Sequence, residues 1–357
     1  MDWFATQLLA WHKDHGRTDL PWQQDINPYR VWVSEIMLQQ TQVTTVIDYY
    51  LKFMRRFPDV ESLARAQIDE VLHHWTGLGY YARARNLHKA ANAIVHEHQG
   101  DFPTTQEGLE ALPGIGRSTA GAIRAIAMGQ CASILDGNVK RVLTRFHAVA
   151  GYPGDTKVSQ ELWGIATIHT PNQDCAAYTQ AIMDLGATLC VRRRPDCPKC
   201  PMSDQCAAYA MNEVEAFPAS KPKKAKPVRR SRFFVVTLPN SAALLEQKPM
   251  NGLWGGLWTP PERADDQSVE AFLAELGLDT SDLHTQHIAP EFRHTFTHFH
   301  LEIAPIYLKL TRQPTLIEDN PTLRWVDPLN LDQANDRIGL SAPAVKLLAS
   351  LQEPFKS

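Results

Sequence analysis

The sequence lacks any long hydrophobic run. In its 357 residues no apolar stretch approaches the roughly 20 residues that a helix needs to cross a bilayer. Its first residues, Met1 to Phe4, include no basic segment ahead of an apolar one, so we expect no secretory signal. These absences predict a cytoplasmic protein without a transmembrane segment.

The chain also lacks a large excess of either charge. Its formal net charge is −3. Up to Arg230 there are 26 Lys and Arg against 23 Asp and Glu, and after it 10 against 16, so the first part is only mildly basic. Any binding of nucleic acid must therefore depend on where individual charges lie rather than on their total.

Cysteines are few, and most lie together. Cys131 and Cys175 are isolated in apolar stretches, where we expect them to pack in a core. The other four follow the spacing C-x6-C-x2-C-x5-C, at Cys190, Cys197, Cys200 and Cys206. Four thiolates can bind zinc or an iron–sulfur cluster. Structural zinc often uses two C-x2-C pairs, and only one is present here.

The pattern of the chain changes after about residue 216. Residues 1–216 show helical spacing of apolar residues, whereas strand-like alternation is scarce. Residues 217–230 are rich in proline and lysine and predict a linker. Residues 231–357 predict an α+β domain, with strands at 233–238, 242–245 and 296–310 and helices at 268–276 and 342–351.

A tight turn followed by a helix lies at residues 112–121, LPGIGRSTAG. Gly114 and Gly116 flank one apolar residue, and small residues then begin a helix. Backbone N–H groups at such a turn can bind a DNA phosphate without reading the base sequence. A simple corner between two helices is the alternative.

Two carboxylates stand out. Glu35 lies among Trp, Val, Ile and Met, and desolvation there would raise its pKa and keep a proton available near neutral pH. Asp136 precedes a glycine at the start of a helical run, where it could also serve as an N-cap. A solvent-facing Glu35 and a purely structural Asp136 are the alternatives.

Three segments together resemble one family. The hairpin at 112–121, SEIMLQQTQV around Glu35 and LDGNVKRV around Asp136 are similar to the helix-hairpin-helix DNA-repair glycosylases of the MutY type. The resemblance implies a six-helix barrel at about 22–135. A second part, formed by the N-terminal helix and residues 136–216, would be held by one 4Fe–4S cluster on the four cysteines. The fold class implied is a mostly α glycosylase region plus an α+β Nudix-like domain at 231–357.

The same resemblance implies a reaction. Glu35 would protonate adenine and then help to activate water, Asp136 would stabilise the cationic sugar, and Asn138 would support them by hydrogen bonding. The substrate would be double-stranded DNA with adenine opposite 8-oxoguanine or guanine, acted on by a monomer that is associated with the nucleoid if the source is bacterial. Relatives that also cut the strand carry a lysine where this chain has Ser118, so we expect a monofunctional glycosylase.

Further residues are assigned by resemblance. Gln40 and Tyr80 would fill the gap left by a flipped base, although core packing is an alternative for one of the two neighbouring tyrosines. Gly114, Gly116, Ser118, Arg83 and Arg85 would contact DNA. The residues enclosing adenine would be Arg17, Trp22, Leu38 and Gln180.

The second domain lacks part of the motif that active Nudix enzymes use. Its Leu253–Trp258 segment resembles the entry to that fold, but Ala271 and Ala274 stand where metal-binding glutamates belong. We therefore expect recognition rather than pyrophosphatase activity, with Phe296, Thr297 and His298 reading 8-oxoguanine. A metal site on the nearby histidines is a minor alternative. Rival functions for the whole chain are a glycosylase with lyase activity on oxidised pyrimidines and a non-catalytic DNA-binding iron–sulfur protein.

Overall fold

The computed structural model describes residues 2–221, 225–314, 320–331 and 337–351. The chain divides into two compact units. The helical unit comprises Met1–Arg65 and Asn86–Lys223, and the sheet unit comprises Ala66–Arg85 and Lys224–Ser357. The segment 66–85 groups with the sheet unit, whereas the sequence had suggested that it belongs to the helical region.

The helical unit consists of helices joined by short turns, as the apolar spacing predicts. Its helices are α1 (Trp3–His15), α2 (Pro28–Leu38), α3 (Val43–Arg56), α4 (Val60–Arg65), most of α6 (Ala82–Glu97), α7 (Gln106–Glu110), α8 (Arg117–Ala127), α9 (Gly137–Phe146), α10 (Thr156–His169), α11 (Cys175–Thr188) and α12 (Ala207–Ala210). Short 3-10 turns lie at Pro21–Gln23, Cys197–Lys199, Ser203–Gln205 and Val214–Ala216.

One core of the helical unit joins α1, α9, α10 and α11. Phe4, Leu143, Leu162 and Leu185 are buried there, and the edge of the Phe4 ring packs against Phe146 with centroids 4.8 Å apart. Each such side chain contributes about 2 kcal/mol through removal of apolar surface from water. This packing fixes α9 and α11, which border the cavity described below.

The two isolated cysteines form a covalent link. Cys131 and Cys175 are joined by a disulfide, with their Cα atoms 5.2 Å apart. Cys175 is buried at the start of α11, but Cys131 is exposed in the segment between α8 and α9. The core position expected for Cys131 is therefore wrong, because this residue is exposed in the segment between α8 and α9 although its sulfur is bonded to the buried Cys175.

The sheet unit is built on one eight-stranded sheet with the central order β3-β2-β1-β7-β5. Strands β1 and β7 run parallel, and the other pairs are antiparallel, with β4 beside β1, β6 beside β7 and β8 beside β2. The strands are β1 (Val228–Thr237), β2 (Ala243–Gln247), β3 (Trp258–Thr259), β4 (Glu262–Arg263), β5 (Leu283–Ile288), β6 (Phe292–Thr295), β7 (His300–Leu310) and β8 (Leu323–Val326). The helices are α5 (Ile68–His74), α13 (Val269–Glu275) and α14 (Ala342–Ala349), with a 3-10 turn at Thr280–Asp282.

Each face of the sheet has its own hydrophobic core. Phe234 of β1 stacks on Phe272 of α13 with ring centroids 4.0 Å apart, and Leu308 packs in the same cluster. Leu245 and Leu348 belong to the cluster around α14. The successive residues Leu244 and Leu245 of β2 thus face opposite cores, as the period of a strand requires.

The strands and helices predicted for this region are present with shifted ends. Strand β1 begins at Val228, inside the segment expected to be a linker, because it pairs along its whole length with β7. The expected strand at 296–310 begins only at His300, since residues 296–299 form the turn between β6 and β7. Within the described ranges no helix is long and apolar enough to cross a membrane.

Candidate active site

Helix α2 carries Glu35 into the interior. The helix begins at Pro28, after Asn27 accepts a hydrogen bond from the Arg30 N–H through its side chain. Residues on all sides of α2, including Trp32 and Ile36, are buried, so the helix lies inside the unit rather than on its surface. A glutamate on such a helix is largely removed from solvent.

The carboxyl group of Glu35 is held in its protonated form. Burial raises the pKa of Glu35 to about 8, and the negative charge of Asp136 adds to this effect. Glu35 keeps some exposed surface because it lines a cavity. The prediction of a partly desolvated glutamate therefore matches the described environment, and a proton is available at neutral pH.

Asp136 begins α9 and lines the same cavity as Glu35. Its Oδ1 accepts a hydrogen bond of 2.8 Å from the Val139 N–H, which makes it the N-cap. Burial raises the pKa of Asp136, while that hydrogen bond and the charge of Arg141 act in the opposite direction. Of the two carboxyl groups, Asp136 has the surroundings that favour the ionised form.

Asn138 and Arg141 support this end of α9. The side-chain amide of Asn138 lies 3.4 Å from Oδ2 of Asp136, and its oxygen accepts a hydrogen bond of 2.8 Å from Arg141. Arg141 also donates to the carbonyls of Gly186 and Cys190. The position of Asp136 is thus linked through Asn138 and Arg141 to the segment after α11.

A cavity of about 1170 Å³ brings the predicted pocket residues together. Trp22 is buried and packs edge-on against Tyr50 with centroids 5.6 Å apart. Besides Glu35, Asp136 and Asn138, the predicted residues that line the cavity are Arg17, Trp22, Leu38, Gln40, Ser118 and Gln180. A purine base fits within this volume.

The hairpin before α8 has the geometry expected for phosphate binding. Gly114 adopts φ +80°, and a Cβ there would lie 2.7 Å from Asn86 Cβ, so only glycine fits. Gly116 is the N-cap of α8 and has no side chain to satisfy the first N–H groups of the helix. Ile115 is buried between the two exposed glycines.

Ser118 has a structural contact that the sequence did not indicate. Its Oγ accepts a hydrogen bond of 2.9 Å from the N–H of Leu135, the residue before Asp136. A hydroxyl here holds the segment that delivers Asp136, and it offers no amine that could form an imine with a sugar.

The two candidate wedge residues lie in different units. Gln40 ends the α2 segment with φ +58° and is exposed. Tyr80, with φ +50°, is 45% exposed within the sheet unit. Left-handed backbone at a non-glycine residue is uncommon and is often found at functional sites, so both positions merit testing as DNA contacts.

Arg83 and Arg85 make hydrogen bonds within the sheet unit, and their contact with DNA stays a prediction. Arg83 is only 8% exposed and donates hydrogen bonds to the carbonyls of Leu78 and Gly79. Arg85 donates to the carbonyl of Gly255 at 2.8 Å. Both guanidinium groups are occupied in holding loops of the sheet unit, a role that an arginine in a glycine-rich segment does not reveal by sequence.

The four clustered cysteines line one small cavity between α9, α11 and α12. All four thiols are free, and burial raises the pKa of Cys200 to about 12. Among the described residues, no group of three His, Cys, Asp or Glu is arranged to hold a single metal ion. Convergent thiols beside a cation nevertheless fit an anionic cluster, whose binding would displace their protons.

That cation is Arg145, which the sequence analysis missed. It is 2% exposed, and its Nη1 lies 3.3 Å from Sγ of Cys190. It also donates to the carbonyls of Val191, Arg192, Val214 and Phe217. An arginine buried among cysteines and carbonyls both balances thiolate charge and shapes the loop that carries the first ligand.

The predicted 8-oxoguanine residues form the tip of the β6–β7 hairpin. Thr297 and His298 are exposed, whereas Phe296 stacks on Phe299 with centroids 4.5 Å apart. The Phe296 N–H donates to the carbonyl of Phe299 and closes the tip. One aromatic residue therefore anchors the tip, and the next two side chains face solvent.

The carboxylates around α13 are neutralised. Arg263 contacts Glu246 and Glu275 at 2.8 Å each, and Lys248 contacts Glu262 at 2.7 Å. Carboxylates held by arginine are poor ligands for a divalent cation, in agreement with the alanines at 271 and 274.

Comparisons with known proteins agree with both units. Residues 33–167 match the HhH-GPD superfamily of base excision DNA repair proteins, and residues 232–350 match the NUDIX domain. The chain is similar to the adenine DNA glycosylase of Buchnera aphidicola subsp. Schizaphis graminum, with 37% identity over 97% of each chain. It is also similar to the human adenine DNA glycosylase, with 37% identity over 90% of this chain and 70% of the human one.

A solved structure resembles the helical region. A thermostable thymine-DNA glycosylase aligns with a TM-score of 0.52 and 28% identity, covering 58% of this chain and 95% of that one. The helix-hairpin-helix fold, the Nudix-like fold and the full-length similarity together confirm the resemblance inferred from the motifs, and the chain belongs to the adenine DNA glycosylase family.

Proposed function

We propose that this enzyme removes adenine paired with 8-oxoguanine or guanine in double-stranded DNA by hydrolysis of the N-glycosidic bond. The observation that carries the proposal is the pairing of a protonated Glu35 with Asp136 on one cavity large enough for a purine. The family name and the phosphate-binding geometry of the hairpin support DNA as the partner.

The chemistry follows from the two environments. Adenine leaves readily only after a ring nitrogen is protonated, and Glu35 holds a proton at neutral pH for that purpose. Asp136 would face the positive charge that develops on the sugar as the bond breaks, and Asn138 would keep it in place. After the base departs, the Glu35 carboxylate would accept a proton from the attacking water.

Recognition of the mispair would be shared between the units. Arg17, Trp22, Leu38 and Gln180 would enclose the flipped adenine, and Gln40 and Tyr80 would occupy the gap in the duplex. Phe296, Thr297 and His298 would read the opposing base, with the threonine hydroxyl and the imidazole as the exposed polar groups.

A 4Fe–4S cluster would be held by Cys190, Cys197, Cys200 and Cys206. When bound, the cluster would order the loop between Val191 and Asp196 as a surface for DNA phosphate. Arg192 and Arg193 lie on that loop, and Arg145 fixes its backbone.

The direct test is single-turnover excision on duplexes that differ in one pair, with adenine opposite 8-oxoguanine, guanine or thymine. Alkali reveals the abasic sites. We expect cleavage of the first two duplexes and not of the third. Absence of adenine release from all three, with the cluster absorbance intact, would contradict the proposal and favour activity on oxidised pyrimidines.

A second measurement addresses the absence of lyase chemistry. Borohydride traps an imine between an enzyme amine and the sugar. Because Ser118 occupies the lysine position, we expect no strong trapped adduct during adenine excision. A dominant covalent adduct would mean that another amine attacks the sugar.

A further inference from the structure

Asp184 on α11 has a carboxyl side chain with no exposed surface. Its Oδ1 accepts hydrogen bonds from Nη2 of Arg17 at 2.6 Å and from Nε at 3.0 Å, and its Oδ2 accepts from the Arg17 backbone N–H at 2.8 Å. One carboxylate thus fixes both the main chain and the guanidinium of a residue 167 positions away.

The same carboxylate holds two other residues. Gln180 donates to Oδ1 through its Nε2 at 2.9 Å, and Nε2 of His12 lies 3.5 Å from Oδ2. Arg17, Gln180 and His12 all line the cavity that contains Glu35. Two cavity side chains from different segments, Arg17 and Gln180, therefore share one buried anchor, and His12 lies beside it.

The other charged side chains that line the cavity with Glu35 come from α9 and from the loop after α11. Asp136 and Arg141 reach the cavity from α9, and Arg192 reaches it from the loop after α11. Arg141 is committed to carbonyls and to Asn138. The residues that α3 and α8 contribute to the cavity wall are uncharged, namely Val43, Ser118, Thr119 and Ile126. Arg17 is thus the cation whose charge is cancelled by Asp184.

We propose that Asp184 is a positioning residue for adenine excision. It holds Arg17 and Gln180 against the base, and it supplies the countercharge that keeps Arg17 from suppressing protonation of Glu35 and of the adenine. This inference rests on the role proposed above for Glu35.

The physical basis is the sign of the charge left behind. If Asp184 is neutralised, Arg17 remains as an uncompensated cation in a cavity of low dielectric constant. A positive charge stabilises the Glu35 carboxylate and opposes a protonated adenine. Both effects lower the rate of adenine excision at neutral pH. Stabilisation of the carboxylate also lowers the pH at which Glu35 loses its proton.

The test is single-turnover excision from pH 5 to 9.5 in the full-length, cluster-loaded enzyme with Asp184→Asn. This change keeps the shape and one acceptor oxygen while removing the charge. We expect the basic limb of the profile to move down by about one pH unit, with roughly a tenfold lower rate on that limb. The double variant Arg17→Met with Asp184→Asn should return the midpoint to its native value because the cation left without its partner is removed as well.

Asp174→Asn is the matched control, since Asp174 is an exposed residue at the N-cap of the same helix and makes no side-chain capping hydrogen bond. It should leave the profile unchanged. If Asp184→Asn does not fold, Arg17→Met, which leaves the Asp184 carboxylate without its cation, should shift the limb in the opposite direction.

The possible outcomes separate this inference from the assignment on which it rests. A uniform loss of rate at every pH, with an unmoved midpoint, would reduce Asp184 to a structural role and overturn the inference. A native enzyme whose profile has no basic limb would instead remove the role of Glu35 as the acid.

Discussion

Two carboxylates of the helical cavity and the arginine- and lysine-bound carboxylates of the sheet unit lie in opposite environments. In the helical unit, Glu35 and Asp136 are buried on one cavity without a direct ion pair, and burial raises the pKa of both. In the sheet unit, Arg263 binds Glu246 and Glu275, and Lys248 binds Glu262. A carboxylate that is left unneutralised can exchange a proton or face a cation, whereas one that is paired with arginine mainly stabilises the fold.

The largest effect is expected from a comparison of one glutamate from each unit. Glu35→Gln should lower the single-turnover excision rate by at least about 10³-fold, because the proton donor is lost. Glu275→Gln should leave that rate unchanged. Affinity for the mispaired duplex, measured by fluorescence anisotropy, should persist in both variants. Comparable losses of excision rate in the two variants would contradict the difference in role between these two glutamates.

The contrast also predicts a difference in stability. Because the folded-state pKa of Glu35 is raised to about 8, the unfolded chain ionises first as the pH rises from about 4.5. The free energy of unfolding of the native protein should therefore fall relative to that of Glu35→Gln between pH 4.5 and about pH 8. Above that pH the difference between the two free energies should stay constant. At about 1.4 kcal/mol per pKa unit, the shift from about 4.5 to about 8 corresponds to roughly 5 kcal/mol by urea unfolding at pH 8.5. Equal stability of the two proteins at pH 8.5 would contradict the desolvated state of Glu35.

The disulfide offers a way to weaken the helical unit alone. Cys131 and Cys175 close a loop of 44 residues, and this loop contains Asp136. Reduction should lower the free energy of unfolding by roughly 2–4 kcal/mol. Dithiothreitol should have no such effect on a variant with serine at both positions. The cluster absorbance, followed in parallel, controls for damage at the other four cysteines.

The smallest expected effect lies in the sheet unit. Arg263→Met removes the partner of Glu246 and Glu275, whose side chains are partly exposed, so we expect a loss of about 1 kcal/mol. The variant should not gain pyrophosphatase activity with Mg²⁺, because Ala271 and Ala274 remain. Hydrolysis of a nucleoside triphosphate by the variant would show that Arg263 alone prevents pyrophosphatase activity at an otherwise competent site.

The sequence identified features that depend on short segments. The hairpin glycines, Glu35 within an apolar helix and Asp136 at a helix start can each be recognised from their sequence neighbours. The structure brings the two carboxylates, though not the glycines, to one cavity. The strand and helix pattern of residues 231–357 was also readable, apart from the ends of β1 and β7.

What could not be predicted depends on contacts between distant positions. The pair of Arg17 with Asp184, and the grouping of residues 66–85 with the sheet, have no local signature. The sequence suggested Arg83 and Arg85 as contacts for phosphate. In the folded chain their guanidinium groups donate hydrogen bonds to loop carbonyls. Cys131 and Cys175 lack the paired spacing that would have marked them as partners.

The capping hydrogen bond of Asp136 has a consequence for inherited variation. Asparagine caps a helix as well as aspartate does, so Asp136→Asn should preserve α9 and remove only the charge that we propose faces the sugar. Such a protein would accumulate normally, bind its lesion and then fail to act. In a cell that also carries a working copy, it would shield mispairs from repair, and a single conservative change would be more harmful than deletion of the gene.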